Sequence, residues 1–208
     1  PGALEAAISE RTRALILNSP SNPTGAILSR ENLETVVEVA LRHDVWIVAD
    51  EIYDRLYYTP TPPTSVLDLG AEVRRRTILV NGISKTYAMT GWRIGYAVGP
   101  VEVIRLMTRI QSHETSNANT LAQKATLAAL TGDQSILEER RRIFDERRRL
   151  TVAAVRAVPG WTCAEPQGAF YVFPRVDGLL GRRTPGGKVL GGSMDVSNAL
   201  LDEAHVAT

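Results

Sequence analysis

The chain lacks the residues on which several large function classes depend. One cysteine, Cys163, occurs in 208 residues, which excludes an internal disulfide and any CxxC metal or redox pair and fits a reducing compartment. The three histidines, His43, His113 and His205, stand too far apart for a spaced metal motif. Basic residues number 24 against 23 acidic, a net charge of +1, so no overall field draws the chain to nucleic acid or an anionic membrane. No apolar run approaches the roughly 18 residues of a membrane span, and no basic, then apolar, segment reads as a signal peptide. These exclusions leave a cytoplasmic protein with a small-molecule partner as the expectation.

Familiar catalytic motifs are missing too. No GxGxxG follows a strand pattern, and no GxSxG elbow offers a nucleophilic serine. In GRRTPGGKVL the pair Gly187 and Lys188 is followed by Val189, and Arg182 stands where a phosphate loop needs its first glycine, so that pattern fails twice.

What is present is an ordinary globular composition, 44% hydrophobic and 23% charged, enough to bury a core. RALILN (13–18), VWIVAD (45–50) and TILVN (77–81) are near-continuous apolar runs, the pattern of strands buried on both faces. Between the first two, Leu33, Val36, Val37, Ala40 and Leu41 repeat at helical spacing. This strand, helix, strand rhythm predicts an α/β fold with a mostly parallel sheet. RIGYAVG (93–99) predicts a further strand, and 100–111 and 117–132 predict helices, the second ended by Gly132.

Residues 135–157 form a long helical pattern with Ile136, Ile143, Leu150 and Ala157 seven apart. Its arginine triplets suggest nucleic acid at first sight, but Glu138 to Arg142 and Asp145 to Arg149 are i,i+4 pairs that support a solvated helix face. Beyond Val158 the composition changes. CAEPQGAFYVFPRV predicts a strand with tight turns, and SMDVSNALLDEA a helix. The division expected is a large domain over 1–150 and part of a smaller α+β domain over 151–208.

Ligands of open parallel sheets bind beyond the carboxyl ends of the strands. There the three apolar runs deliver Asn18 with SPSNPTG, then Asp50-Glu51-Ile52-Tyr53, then Ser84-Lys85. Taken singly, SPSNPTG is a turn, Asp50 a helix cap and Lys85 a surface lysine. Together they meet at one edge of one sheet. Pyridoxal 5'-phosphate asks for such a set: a lysine to bind it covalently (Lys85), an acid for its ring nitrogen (Asp50), donors for its ring oxygen (Asn22 and Tyr53) and a cation for its phosphate (Arg93).

NSPSNPTG, DEIYDRLYY, SKTYAMTGWRIGY and PQGAFYVFP, in this order and spacing, resemble the class I/II aminotransferases of fold type I, and AMTGWR resembles the bacterial aspartate aminotransferase subgroup. The resemblance implies a three-layer large domain with Lys85, Asp50 and Tyr53 as catalytic residues. It implies that Asn22, Asp50, Tyr53, Ser84, Lys85 and Arg93 hold the cofactor. Asn22 is also expected beside the substrate carboxylate, with a cis peptide to Pro23. It further implies a homodimer with shared sites, to which 111–123 resembles a crossing loop, although that stretch reads equally as a helix-capping loop. The substrates implied are an L-amino acid, aspartate favoured, and a 2-keto acid such as 2-oxoglutarate, with prephenate or aromatic acceptors also open. Carbon-sulfur β-elimination, ring closure and a non-catalytic truncated fragment are the alternatives. Gly82 departs from the family, many members of which carry serine there for the phosphate. The N-terminal phosphate loop and stacking aromatic and the C-terminal carboxylate-binding arginine of the family have no counterpart in these residues, so a central fragment is expected.

Overall fold

A computed structural model describes residues 2–208. The chain opens with α1 (Gly2–Ala7) and alternates β1 (Ala14–Asn18), α2 (Arg30–Arg42), β2 (Trp46–Asp50), α3 (Ala71–Arg74) and β3 (Thr77–Gly82). Then come β4 (Gly95–Val98), α4 (Val101–Glu114), α5 (Thr120–Thr131), α6 (Ser135–Ala157) and α7 (Ser193–Ala204). The strands lie side by side in chain order. β1, β2 and β3 are parallel, and β4 runs antiparallel to β3, so the sheet is the mostly parallel α/β sheet predicted. No helix among the described residues is long and apolar enough to cross a membrane.

Parallel neighbours need a crossover, and α2 supplies the first. Ser29 caps it by accepting the Asn32 N–H at 3.2 Å. Its Leu33, Val37 and Ala40 are buried against Val45, Ile47 and Ala49 of β2 and its approach, with Val66 and Val73 closing the cluster. Val39, outside the predicted stripe, is also buried, whereas Val36 and Leu41 are half-buried. The covered face is wider than the heptad-like spacing suggested.

The expectation of strands buried on both faces is corrected. Register places Leu15, Ile47 and Thr77 in one row and Ile16, Val48 and Ile78 in the next. The first row faces α2. On the second, Ile16 remains 72% exposed and Val80 38%. The reason is physical: α4 contributes no buried residue and α5 only Ala122, so nothing among the described residues seals that face.

Three further expectations shift. Residues 163–176 form turns and isolated pairings, Tyr57 with Gly168 and Thr162 with Arg175, rather than a strand. Pro166, Gly168 and Pro174 interrupt any ladder, and Ala169 adopts a left-handed φ of 57°. On α6, Glu138 pairs with Arg141 at 2.6 Å instead of Arg142, while Asp145 pairs with Arg149 as predicted. The inward side of α6 includes Ile143 of the predicted stripe but also Arg141, Phe144, Asp145, Arg148 and Val152, and Leu150 is 73% exposed. Arg148 is therefore not a solvated residue. Its guanidinium lies between Asp145 and Glu165, donates to the Pro166 carbonyl, and sits 5.1 Å from the Tyr58 ring centroid. Within 111–123, α4 runs to Glu114 and Asn119 caps α5, accepting from the N–H groups of Leu121 and Ala122.

Glu51, just past the carboxyl end of β2, is buried and holds the start of the 3-10 turn Val66–Leu69. Its Oε1 accepts from the Ser65 hydroxyl at 3.0 Å and the Val66 N–H at 2.8 Å. Burial raises its carboxyl above the ordinary 4.5 despite those two donors. A carboxyl whose folded value is raised favours the folded state below the unfolded value, and that benefit is lost as pH climbs through the folded value. Comparing urea unfolding of wild type and Glu51→Gln should therefore show wild type gaining on the variant as pH falls from 7 toward 4.5. Glu51→Ala, which strips both donors of their acceptor, should cost about 1–3 kcal/mol at neutral pH.

Candidate active site

Residues just past the carboxyl end of each parallel strand build the site. Asn18 and Asp50 are register partners at the ends of β1 and β2. The Asn18 amide donates to the Asp50 carbonyl at 3.3 Å, and its side-chain oxygen accepts the Asn22 N–H at 2.6 Å. The turn SPSNPTG is thereby tied to the strand ends. Both Ser19–Pro20 and Asn22–Pro23 are cis, the second as the resemblance implied. Asp50 Oδ1 accepts the Ile52 N–H at 3.2 Å, a turn that a carboxylate at a strand end readily starts, and Tyr53 becomes buried just beyond it.

Lys85 sits three residues past β3. Ile83 and Thr86 are buried on either side of the pair Ser84-Lys85, and the Tyr87 N–H donates to the Ile83 carbonyl at 3.1 Å, closing a turn. Tyr87 also donates its hydroxyl to Gln134 at 2.8 Å, linking the turn to the start of α6. With its neighbours anchored, the Lys85 side chain is half-buried. Its Nζ lies 5.3 Å from the Phe170 ring centroid and 5.8 Å from that of Tyr53, within cation–π range. It opens on a cleft of about 300 Å³ lined by Ser84, Thr90, Arg140, Phe144, Arg147 and Phe170.

Lys85, Ser84 and Tyr53 are thus brought together directly. Asp50 joins through the turn that carries Tyr53, and the exposed Asn22 joins through Asn18. Arg93 is exposed and outside the cleft lining. It stands at φ 52° after a short 3-10 turn and donates to the Thr90 carbonyl at 3.1 Å, while Thr90 donates to the Ser84 carbonyl at 3.2 Å. Its tie to the cleft runs through Thr90.

The segment PQGAFY forms the opposite wall. The N–H groups of Gln167 and Gly168 both donate to the Gly25 carbonyl, and the Ala169 N–H donates to Leu56. Tyr58 adds its hydroxyl to the Ala169 carbonyl at 2.5 Å, and burial pushes that phenol up to about 12. Left-handed Ala169 then presents Phe170 and Tyr171 to Tyr53 in edge-to-face contact, at 5.4 and 5.7 Å between centroids. The Tyr53 and Tyr171 hydroxyls are 2.5 Å apart. Burial first, and with it the Asp50 charge, hold the Tyr53 phenol above its ordinary value near 10, so it is a proton donor at neutral pH. Sequence reasoning gave no role to Phe170, Tyr171 or Thr90. The aromatic cluster between Gly168 and Pro174 was the available signal.

At Gly82 the departure from serine has a steric context. Gly82 pairs with Gly95 across β3 and β4, and a Cβ there would meet the Gly95 Cα and the Ile94 carbonyl oxygen at 3.1 Å each. The close approach of two backbones favours residues without side chains.

Comparison with known proteins agrees with this geometry. The model of the family described as aminotransferase class I and II matches residues 1–208. Aspartate aminotransferase of Geobacillus stearothermophilus is 44% identical over 210 residues, covering 100% of this chain and 51% of the relative. The aspartate/prephenate aminotransferase of Cereibacter sphaeroides is 46% identical over 208 residues, covering 100% and 52%. Among solved structures, the aspartate aminotransferase of Rhizobium meliloti superposes with a TM-score of 0.95 at 45% identity, covering 99% of this chain and 52% of that one. The chain spans about half the length of the relatives it matches. Four motifs in order, a lysine-bearing cleft at the end of a mostly parallel sheet, and a family match along all 208 residues agree: the chain belongs to the class I and II aminotransferases.

Proposed function

We propose that the protein containing this chain transfers an amino group from an L-amino acid to a 2-keto acid with pyridoxal 5'-phosphate as cofactor, aspartate and 2-oxoglutarate being the favoured pair. One observation carries the reading. The Lys85 amine, with no ion-pair partner among the described residues, lies against two aromatic rings at the carboxyl edge of parallel strands, beside Tyr53 and the turn begun by Asp50. The names of the relatives support aspartate as donor, and the name of the Cereibacter relative keeps prephenate as an acceptor within the same reading.

The donor set fits the cofactor: an amine facing an open cleft, a carboxylate at the adjoining strand end, and a buried phenol that stays protonated. When bound, the group supplies an electron sink for the charge left as the α-proton of an amino acid departs. Lys85 anchors it and, once displaced, takes and returns that proton. The Asp50 carboxylate is assigned to the ring nitrogen, whose protonated form it stabilises. Tyr53 and Asn22 donate to the ring oxygen, Asn22 also serving the substrate carboxylate. Ser84 and Arg93 hold the phosphate, Arg93 through its planar fork, and Gly82 leaves one phosphate contact of many relatives unmade. A homodimer in the cytoplasm, and division into 1–150 and 151–208, complete the proposal.

The test is isotopic. Incubating the full protein with ¹⁵N-aspartate and 2-oxoglutarate should yield ¹⁵N-glutamate in proportion to the oxaloacetate formed. Pyruvate and free ammonia released from an amino acid without any keto-acid acceptor would replace this reading with β-elimination.

A further inference from the structure

Tyr53 and Tyr171 each have one hydroxyl proton, and their 2.5 Å contact uses one of the two. If Tyr53 donated to Tyr171, its proton would be unavailable to anything in the Lys85 cleft. If Tyr171 donates, the Tyr53 proton is free. The role proposed for Tyr53 decides between the two: a Tyr53 that donates to the ring oxygen of the cofactor has no second proton for Tyr171, so the contact between the hydroxyls is then made by the Tyr171 proton. Tyr58 does not compete, since its own hydroxyl is spent on the Ala169 carbonyl.

We propose that Tyr171 is a positioning residue: by donating its hydroxyl to Tyr53 it directs the Tyr53 proton into the Lys85 cleft, toward the ring oxygen of a lysine-bound cofactor. The inference rests on the cofactor reading above and adds to it a residue to which the motifs assigned no role. Its placement is strongly determined. The wall that carries Tyr171 is fixed by the bonds of Gln167 and Gly168 to Gly25 and of Ala169 to Leu56, and Ala169 itself is fully buried. Positional freedom at Tyr171 is therefore small, which lets a single hydroxyl set the direction of another.

Donation to the ring oxygen stabilises negative charge on it and loosens its hold on the proton shared with the lysine nitrogen. Weaker donation must raise the pH at which that proton leaves. The experiment loads the full chain with pyridoxal phosphate and titrates the visible absorption of the lysine-bound form in wild type, Tyr53→Phe, Tyr171→Phe and the double variant. Tyr171→Phe should move the midpoint up by roughly 0.5–1 pH unit, the worth of one ordinary hydrogen bond. The double variant should match Tyr53→Phe alone, because Tyr171 acts only through Tyr53. An unchanged midpoint in Tyr171→Phe beside a shifted Tyr53→Phe, or additive shifts in the double variant, would overturn the proposal and leave the cofactor assignment standing. Absence of any lysine-bound absorption in wild type would overturn both. Should Tyr171→Phe not fold, 3-fluorotyrosine at position 171, a stronger donor, should lower the midpoint, and a midpoint that stays put would also refute the role.

Discussion

Replacing Lys85 with alanine should reduce amino transfer by at least about 10⁴-fold while leaving the fold intact. The two halves of this expectation come from different observations. Lys85 is the only lysine lining the cleft among the described residues, so its loss removes both the covalent anchor and the proton carrier, and a positioned acid–base group alone is worth about 10²–10⁴. Yet its ammonium makes no ion pair or hydrogen bond among the described residues, and its neighbours Ile83 and Thr86 carry the burial of the turn. Stability should change by no more than about 1 kcal/mol, the order of its contacts with the Phe170 and Tyr53 rings. Steady-state transfer and thermal unfolding on the same preparation check both halves. Turnover near that of wild type would sink the assignment, and a collapse in stability would mean that Lys85 is structural.

The second large effect is expected at Gly25. Its φ of +69° lies in the region that L side chains avoid, and a Cβ there would stand 2.5 Å from the Pro166 Cβ and 2.9 Å from the Gly168 carbonyl oxygen. Gly25→Ala should therefore cost about 2–5 kcal/mol, adding the left-handed penalty to overpacking. That is a large part of the roughly 5–15 kcal/mol by which a typical domain is stable. The consequence reaches function, because the Gly25 carbonyl receives the two N–H groups that dock PQGAFY and so place Phe170 and Tyr171. Gly181→Ala is the matched control: φ is +81° but nothing lies within 4 Å of the added carbon. Denaturant midpoints should fall far more for Gly25→Ala than for the control. Equal losses would show that the docking is loose.

How much of this was legible in the sequence depends on whether the signal was local. The three parallel strands and α2 announced themselves through short-range pattern, and the structure places them within a residue or two of the expected bounds. The chemistry at the strand ends was legible for the same reason, since Asn18, Asp50 and Lys85 each terminate a local pattern or come soon after it. The wall opposite Lys85 was not. Residues 163–176 alternate enough to suggest a strand, but the backbone bonds of Gln167, Gly168 and Ala169 go to Gly25, Leu56 and Tyr58, partners more than 100 residues away that no local window contains. The α6 stripe failed in part. Of the residues seven apart, Ile143 is half-buried and lines the Lys85 cleft, but Ile136 and Leu150 are exposed, and Arg148, held by Asp145 and Glu165 over the Tyr58 ring, takes an inward place. Charged side chains that carry long apolar stems can occupy interior positions that a hydrophobic count gives to leucine.

The measurement that tests the central claim most directly is mass spectrometry of the protein incubated with pyridoxal phosphate and reduced with borohydride. The sequence has three lysines, Lys85, Lys124 and Lys188, so peptide mapping gives an unambiguous answer. A single reduced adduct on Lys85 is the predicted result. An adduct on Lys124 or Lys188 with Lys85 unmodified, or no adduct at all, would contradict the account.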